Sequence, residues 1–94
     1  MAASSPAAAS SLTVYWFFQT PDCNGAPPGT STLPISQGAT LLAHSAASDV
    51  SLLQLAQDPA AGQGLAGWTT QEPVGTMMAI HHPLGTFKRA AVGT

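Results

Sequence analysis

Hydrophobic residues along the chain occur in short runs separated by stretches rich in Gly, Pro, Ser and Ala. Runs of this length, bounded by turn-forming residues, are typical of β-strands. They predict five strands, at residues 12–19, 39–45, 50–55, 76–81 and 87–92. The longest predicted loop covers residues 20–34, where several Pro and Gly residues disfavour regular structure. The pattern therefore predicts an all-β chain.

Residues 41–55 have a second interpretation as one helix. Leu52, Leu53 and Gln54 are good helix formers, and Ser48 or Asp49 in front of them suits a helix N-cap. The turn spacing on either side instead favours two short strands, because an all-β assignment agrees with the rest of the chain.

Charge is scarce in this sequence, with two basic and four acidic residues among 94 and a net charge of -2. The basic residues, Lys88 and Arg89, are adjacent, so the chain lacks the distributed basic face that nucleic-acid binding needs. No run approaches the roughly 18 apolar residues of a membrane span. We therefore expect no nucleic-acid partner and no membrane partner.

Residues 1–11 form a low-complexity Ala/Ser segment, which we predict to be a loop. The segment has neither the positive nor the apolar region of a signal peptide. Cys23 is the only cysteine, so the chain has no internal disulfide.

The three histidines invite a metal-site hypothesis. His81 and His82 are adjacent, and neighbouring residues on a strand point to opposite faces. No cysteine or acid lies at ligand spacing from them or from His44. We therefore expect no metal.

His44 and Asp49 suggest a catalytic pair, because they lie five residues apart across a predicted tight turn. The chain has no Gly-x-Ser-x-Gly motif to supply a nucleophile. Asp49 also suits a plain structural role, in which its carboxylate accepts backbone N–H groups of the turn. Spacing alone favours the structural role.

Asp49 begins a segment, residues 49–55, that resembles the Asp-apolar-small-Leu-Leu-x-Leu segment of chymotrypsin-fold (trypsin-like) serine proteases, in which the Asp is the triad acid. Further segments resemble the bacterial lysyl-endopeptidase-like group of that family, in the same order along the chain. They are residues 13–16 (Thr-Val-Tyr-Trp) with Gln19 and Cys23, 38–42 (Gly-Ala-Thr-Leu-Leu), 66–68 (Ala-Gly-Trp), and 79–83 (Ala-Ile-His-His-Pro) with Gly85, Lys88 and Arg89.

The resemblance implies part of a chymotrypsin-like double β-barrel. Residues 12–57 would be the C-terminal part of the first barrel and residues 58–67 the linker between barrels. Residues 68–94 would begin the second barrel, with Trp68 in its core.

The resemblance assigns Asp49 as the triad acid, which accepts the Nδ1–H of the catalytic His. The family's catalytic His and Ser segments have no counterpart here, and His44 does not match that His. Cys23 is expected to pair with a cysteine that this chain does not contain. No cofactor is expected.

We therefore expect a fragment of a secreted or periplasmic serine endopeptidase that acts on protein or peptide substrates when complete. By itself the fragment is expected to be inactive and to fold poorly, because its strand edges are open. The alternative is a small non-enzymatic secreted β protein, or a degenerate remnant, that binds a partner.

Overall fold

The computed structural model describes residues 4–94, and most of their regular structure is β-strand. Two short 3-10 helices, Thr30–Thr32 and Pro83–Gly85, accompany one α-helix and six strands. The all-β character predicted from the sequence is confirmed. The elements in order are α1 (Pro6–Ser10), β1 (Thr13–Tyr15), β2 (Ile35–Gln37), β3 (Ala39–Ser45), β4 (Val50–Leu55), β5 (Met77–His81) and β6 (Arg89–Gly93).

Helix α1 lies inside the segment predicted to be a loop, so that prediction was wrong for residues 6–10. The local signals for a helix are present. The Ser5 side chain caps the helix by accepting the N–H of Ala8 at 3.1 Å. Pro6 fits the first turn, where its missing N–H costs nothing. Ala9 is fully buried, and α1 lies against β3.

Strands β3 and β4 form an antiparallel hairpin with the boundaries that the sequence predicted. The alternative single helix over residues 41–55 was wrong. Leu42 is a bulge, since Leu41 pairs with Leu53 and Ala43 pairs with Leu52. The bulge shifts the register of β3 by one residue partway along the hairpin.

The predicted strand at residues 12–19 is shorter than expected. Strand β1 ends at Tyr15, and Trp16 adds one backbone hydrogen bond to Pro34 at 2.9 Å. Phe17 then has a φ of 60°, a left-handed conformation that a bulky residue rarely adopts. This conformation takes the chain out of the ladder in the middle of the aromatic run.

The partner of β1 was not predicted. Strand β2 pairs with β1 in an antiparallel register that sets Val14 opposite Ser36. The two strands are separated by the long loop, so the pairing depends on contacts between distant residues. Strands β5 and β6, both expected within two residues of their observed bounds, pair antiparallel from Met77↔Gly93 to His81↔Arg89.

The chain divides into two compact units. The first contains the described residues up to Trp16 together with Pro34–Gln63, and the second contains Phe17–Leu33 and Gly64–Thr94. The strands of residues 4–94 form three separate two-stranded sheets, none of which closes into a barrel. The first unit buries Ala9, Ala39 and Ser36, whereas no residue of the second unit is buried.

Candidate functional site

Asp49 is the last residue of the loop that connects β3 to β4. Its φ is 50°, a left-handed conformation that Asp and Asn adopt more readily than most residues. The loop is held by Ser45, whose Oγ accepts the N–H of Ser48 at 3.4 Å and lies 2.9 Å from the Ser48 hydroxyl oxygen. The Asp49 side chain is exposed, so its carboxylate is open to a hydrogen-bond donor.

The hairpin beside Asp49 has one exposed apolar face. Along β4 the residues alternate between exposed and half-buried, beginning with exposed Val50. Val50 is 57% exposed, Leu52 58% and Leu42 of the bulge 56%. A cluster of large apolar side chains this accessible is typical of a surface that another polypeptide covers.

His44 is not the partner of Asp49. The hairpin register sets His44 directly opposite Ser51, and its Nδ1 lies 3.1 Å from the Ser51 hydroxyl oxygen. That nitrogen is the one that would face a triad carboxylate. The structure therefore places His44 beside Ser51 across the hairpin, and that His44 is not the catalytic histidine stays a prediction.

His82 makes contacts of a structural kind in the second unit. Its Nδ1 lies 2.9 Å from the carbonyl oxygen of Thr86. A carbonyl oxygen only accepts, so Nδ1 carries the proton. The ring stacks on Phe18, with centroids 6.2 Å apart and an interplanar angle of 13°. These contacts fix the ring against the segment that precedes the long loop.

Metal-ligating side chains are not clustered. His81 pairs with Arg89 across β5 and β6, while His44 lies in the first unit. Among residues 4–94 no group of three His, Cys, Asp or Glu side chains is placed to hold a metal ion. The part of the chain that the structure describes also holds no helix long and apolar enough to cross a membrane.

Sequence reasoning missed a hydrogen-bonded cluster around Ser36, which is 1% exposed. The Trp16 indole N–H donates to the Ser36 hydroxyl at 2.9 Å, and that hydroxyl donates to the Asp58 carbonyl at 2.7 Å. The cluster joins three separate stretches of the first unit. No predicted element contained Ser36, so no signal in the sequence pointed to this cluster.

Two further predicted residues lie at the surface. Cys23 is exposed and has a free thiol in this chain. Trp68 is 89% exposed, so the prediction that it packs in a core was wrong for this chain. In a short segment without buried neighbours, nothing removes the indole from water.

The comparison with protein families gives a match over nearly the whole chain. The family model described as "Lysyl endopeptidase, C-terminal domain" matches residues 2–94. The match includes Asp49 and the exposed hairpin face, as well as the second unit.

A curated relative is the lysyl endopeptidase of Pseudomonas aeruginosa. The two are 32% identical over an alignment of 91 residues, and the match covers 93% of this chain and 20% of the relative. The chain thus spans about a fifth of the length of that protein. No solved structure matches the chain.

Proposed function

The chain belongs to the lysyl endopeptidase C-terminal domain family, and on that premise we propose that it is part of a secreted trypsin-like serine endopeptidase. Asp49 supplies the triad carboxylate, and protein or peptide chains are the substrates. The name of the relative points to cleavage at lysyl bonds. The catalytic His, the nucleophilic Ser and the oxyanion hole come from residues outside these 94.

The observation that carries the proposal is the exposed apolar face beside Asp49. In a triad the aspartate is buried and holds the imidazole by its Nδ1–H. Here the carboxylate is exposed, and it is followed by Val50 and Leu52, which are more than half exposed. Residues beyond the 94 that cover this face would also enclose the carboxylate.

The left-handed conformation of Asp49 supports the same role. At the left-handed position the residue costs roughly 1–3 kcal/mol of strain, and such strain clusters at functional sites. Gly and Asn also suit a turn position of this kind. An aspartate there supplies a carboxylate that the turn itself does not need.

The proposal includes a division of the chain between two β-barrels. Residues 12–57 belong to the first barrel, residues 58–67 cross between barrels, and residues 68–94 begin the second. Residues 68–94 contain no buried residue, as expected for an incomplete barrel whose inner face is open. Residues 17–33, which the proposal assigns to the first barrel, instead group with residues 64–94 in the second unit. Cys23, which is exposed, pairs with a cysteine outside these 94 residues.

The proposal is tested on the natural polypeptide that contains these residues. Its gene is read on both sides of the region for an Ala-Ala-His-Cys segment upstream and a Gly-x-Ser-Gly segment downstream. The purified polypeptide is then assayed on a lysyl peptide amide. We expect both segments and lysyl cleavage, and no activity from the 94-residue chain alone.

The opposite result would be a natural polypeptide without either segment and without peptidase activity. That outcome would contradict the endopeptidase and favour a non-enzymatic binding protein or a degenerate remnant.

A further inference from the structure

The second unit contains a surface depression of about 610 Å³. This volume lies within the range of about 300–1,000 Å³ that small-ligand sites occupy. The start of the long loop forms one side of the depression, and the segment that enters β6 forms the other. Its charged lining residues are Asp22, Lys88 and Arg89.

Lys88 and Arg89 both border this depression although they are neighbours in sequence. Consecutive residues of a regular strand point to opposite faces. Lys88 precedes β6, and its backbone N–H donates to the Phe18 carbonyl at 2.8 Å. Lys88 is thus outside the regular strand, and both residues line the same depression.

Each of the two cations is already oriented. The Lys88 ammonium donates to the side-chain oxygen of Gln19 at 2.6 Å. The Arg89 guanidinium carbon lies 4.6 Å from the centroid of the Phe87 ring, a cation–π contact. Side chains that are ordered before a ligand arrives lose less entropy on binding.

Neither cation is neutralised within residues 4–94, where Lys88 and Arg89 form no ion pair with a carboxylate. They are the only basic residues of a chain whose net charge is -2. Asp22 is the one acidic residue in the lining, so two positive charges and one negative charge face the depression. The site is thus locally positive on a negative chain.

The residues that line the depression favour a carboxylate over other anions. A guanidinium matches the two oxygens of a carboxylate in a bidentate pair. A dianion would be repelled more strongly than a monoanion by Asp22. Ile80, Phe87 and Ala90 add apolar surface beside the cations, which suits a ligand that carries a hydrophobic side chain next to its carboxylate.

We propose that this depression binds a peptide carboxylate through Lys88 and Arg89, with an adjacent apolar side chain of the peptide against Ile80 and Phe87. The carboxylate is either the C-terminal group of a peptide or an acidic side chain within one. The site involves neither Asp49 nor peptidase activity, and it requires that the segment proposed to pair with Cys23, which also lines the depression, leave it open.

The test is a binding measurement by calorimetry on the natural polypeptide at low salt. The probes are acetyl-Ala-Phe with a free carboxylate, acetyl-Ala-Phe amide and acetyl-Glu-Phe amide. We expect at least one carboxylate probe to bind about fivefold more tightly than the neutral amide, the preference that an exposed ion pair supplies. The carboxylate probe that binds more tightly shows whether the site takes a C-terminal carboxylate or an acidic side chain. Added salt should reduce the preference for the carboxylate probe over the neutral amide.

Variants then locate the site. The double variant Lys88→Gln/Arg89→Gln should abolish the preference for the carboxylate. The exchange Lys88→Arg/Arg89→Lys, which keeps both charges, should retain most of it. Glu72→Gln, a charge change outside the depression, serves as the matched control and should leave the preference unchanged.

Three results would overturn the proposal. One is equal binding of the acid and amide probes. Another is a preference that survives in Lys88→Gln/Arg89→Gln. The third is competition by acetate alone as effective as that of the peptide acid, which would show a site for small anions rather than peptides. Because the readout is binding and not cleavage, none of these results bears on the proposed protease.

Discussion

At the scale of single residues, Asp49 combines an exposed carboxylate with a left-handed backbone. This combination allows a clean substitution, because Asn tolerates the same backbone conformation and has nearly the same shape. A change in activity on Asp49→Asn therefore reports on the charge and not on the hairpin loop.

In the complete polypeptide we expect Asp49→Asn to lower kcat on a lysyl peptide amide by about 10⁴-fold. KM should change little, since the carboxylate acts on the catalytic imidazole and does not contact substrate. The control is His44→Gln, which should leave kcat unchanged. Full activity in Asp49→Asn would show that Asp49 is only a turn residue.

Ser36 offers a second test at this scale. Ser36→Ala removes the acceptor of the Trp16 indole and the donor to the Asp58 carbonyl. Because buried polar groups would be left without partners, we expect a loss of about 1–3 kcal/mol in the free energy of unfolding. Urea unfolding of the complete polypeptide measures the loss, and Ser31→Ala at an exposed position is the control. Equal midpoints for the two variants would contradict this assignment.

At the scale of elements, the passage from β2 to β3 depends on Gly38. Its φ is 82°, and its N–H donates to the Leu12 carbonyl at 2.7 Å. A Cβ at this position would lie 3.4 Å from the Ser10 carbonyl oxygen and 3.5 Å from the Ala56 Cβ. The residue thus joins two strands where the end of α1 approaches closely.

We expect Gly38→Ala to lower the free energy of unfolding by about 1–2 kcal/mol, because alanine is strained at positive φ and the space is tight. Gly67→Ala is the matched control, since Gly67 has open space around it, and its effect should stay within about 0.5 kcal/mol. Chemical denaturation of both variants, made in the complete polypeptide, provides the comparison. A Gly38→Ala variant as stable as the control would show that the backbone is not held in this conformation.

At the scale of the whole molecule, the chain has very little interior. Its buried hydrophobic residues in the described range are Ala9 and Ala39. Large apolar side chains such as Ile80 and Val92 are 67% and 65% exposed. Folding needs buried apolar surface to offset the loss of conformational entropy. Two alanines supply little of it.

We therefore expect the isolated 94-residue chain to aggregate and to show no cooperative unfolding transition in calorimetry. Val50→Thr/Leu52→Thr should make the isolated chain more soluble, because it removes apolar surface from the hairpin face. In the complete polypeptide, where the face is expected to be covered, the same change should lower the free energy of unfolding by about 1–3 kcal/mol per residue.

Val74→Thr, which alters a valine that is 86% exposed in a loop, is the control for both measurements and should have little effect in either. A monomeric isolated chain with a sharp unfolding transition would contradict the expectation, as would equal effects of the double variant and the control on the complete polypeptide.

Much of the strand content was determined by the sequence alone. The bounds of β3 and β4 were predicted to the residue, because apolar residues and a small-residue turn are local features. The family was also evident from ordered short segments, and the family match over residues 2–94 supports the lysyl-endopeptidase-like group. The signals for helix α1 are equally local, since Ser5 and Pro6 mark its start, but the low-complexity Ala/Ser composition predicts a loop.

Other features depended on tertiary structure. The pairing of β1 with β2 and the burial of Ser36 both involve residues about 20 positions apart. Local propensity carries no information about such partners, because their free energy comes from contacts that exist only after the chain has folded. The depression bordered by Lys88 and Arg89 likewise depends on tertiary structure, because its other side comes from the start of the long loop. For Asp49, the sequence alone marked the residue, and only the tertiary structure showed an exposed carboxylate beside an uncovered apolar face.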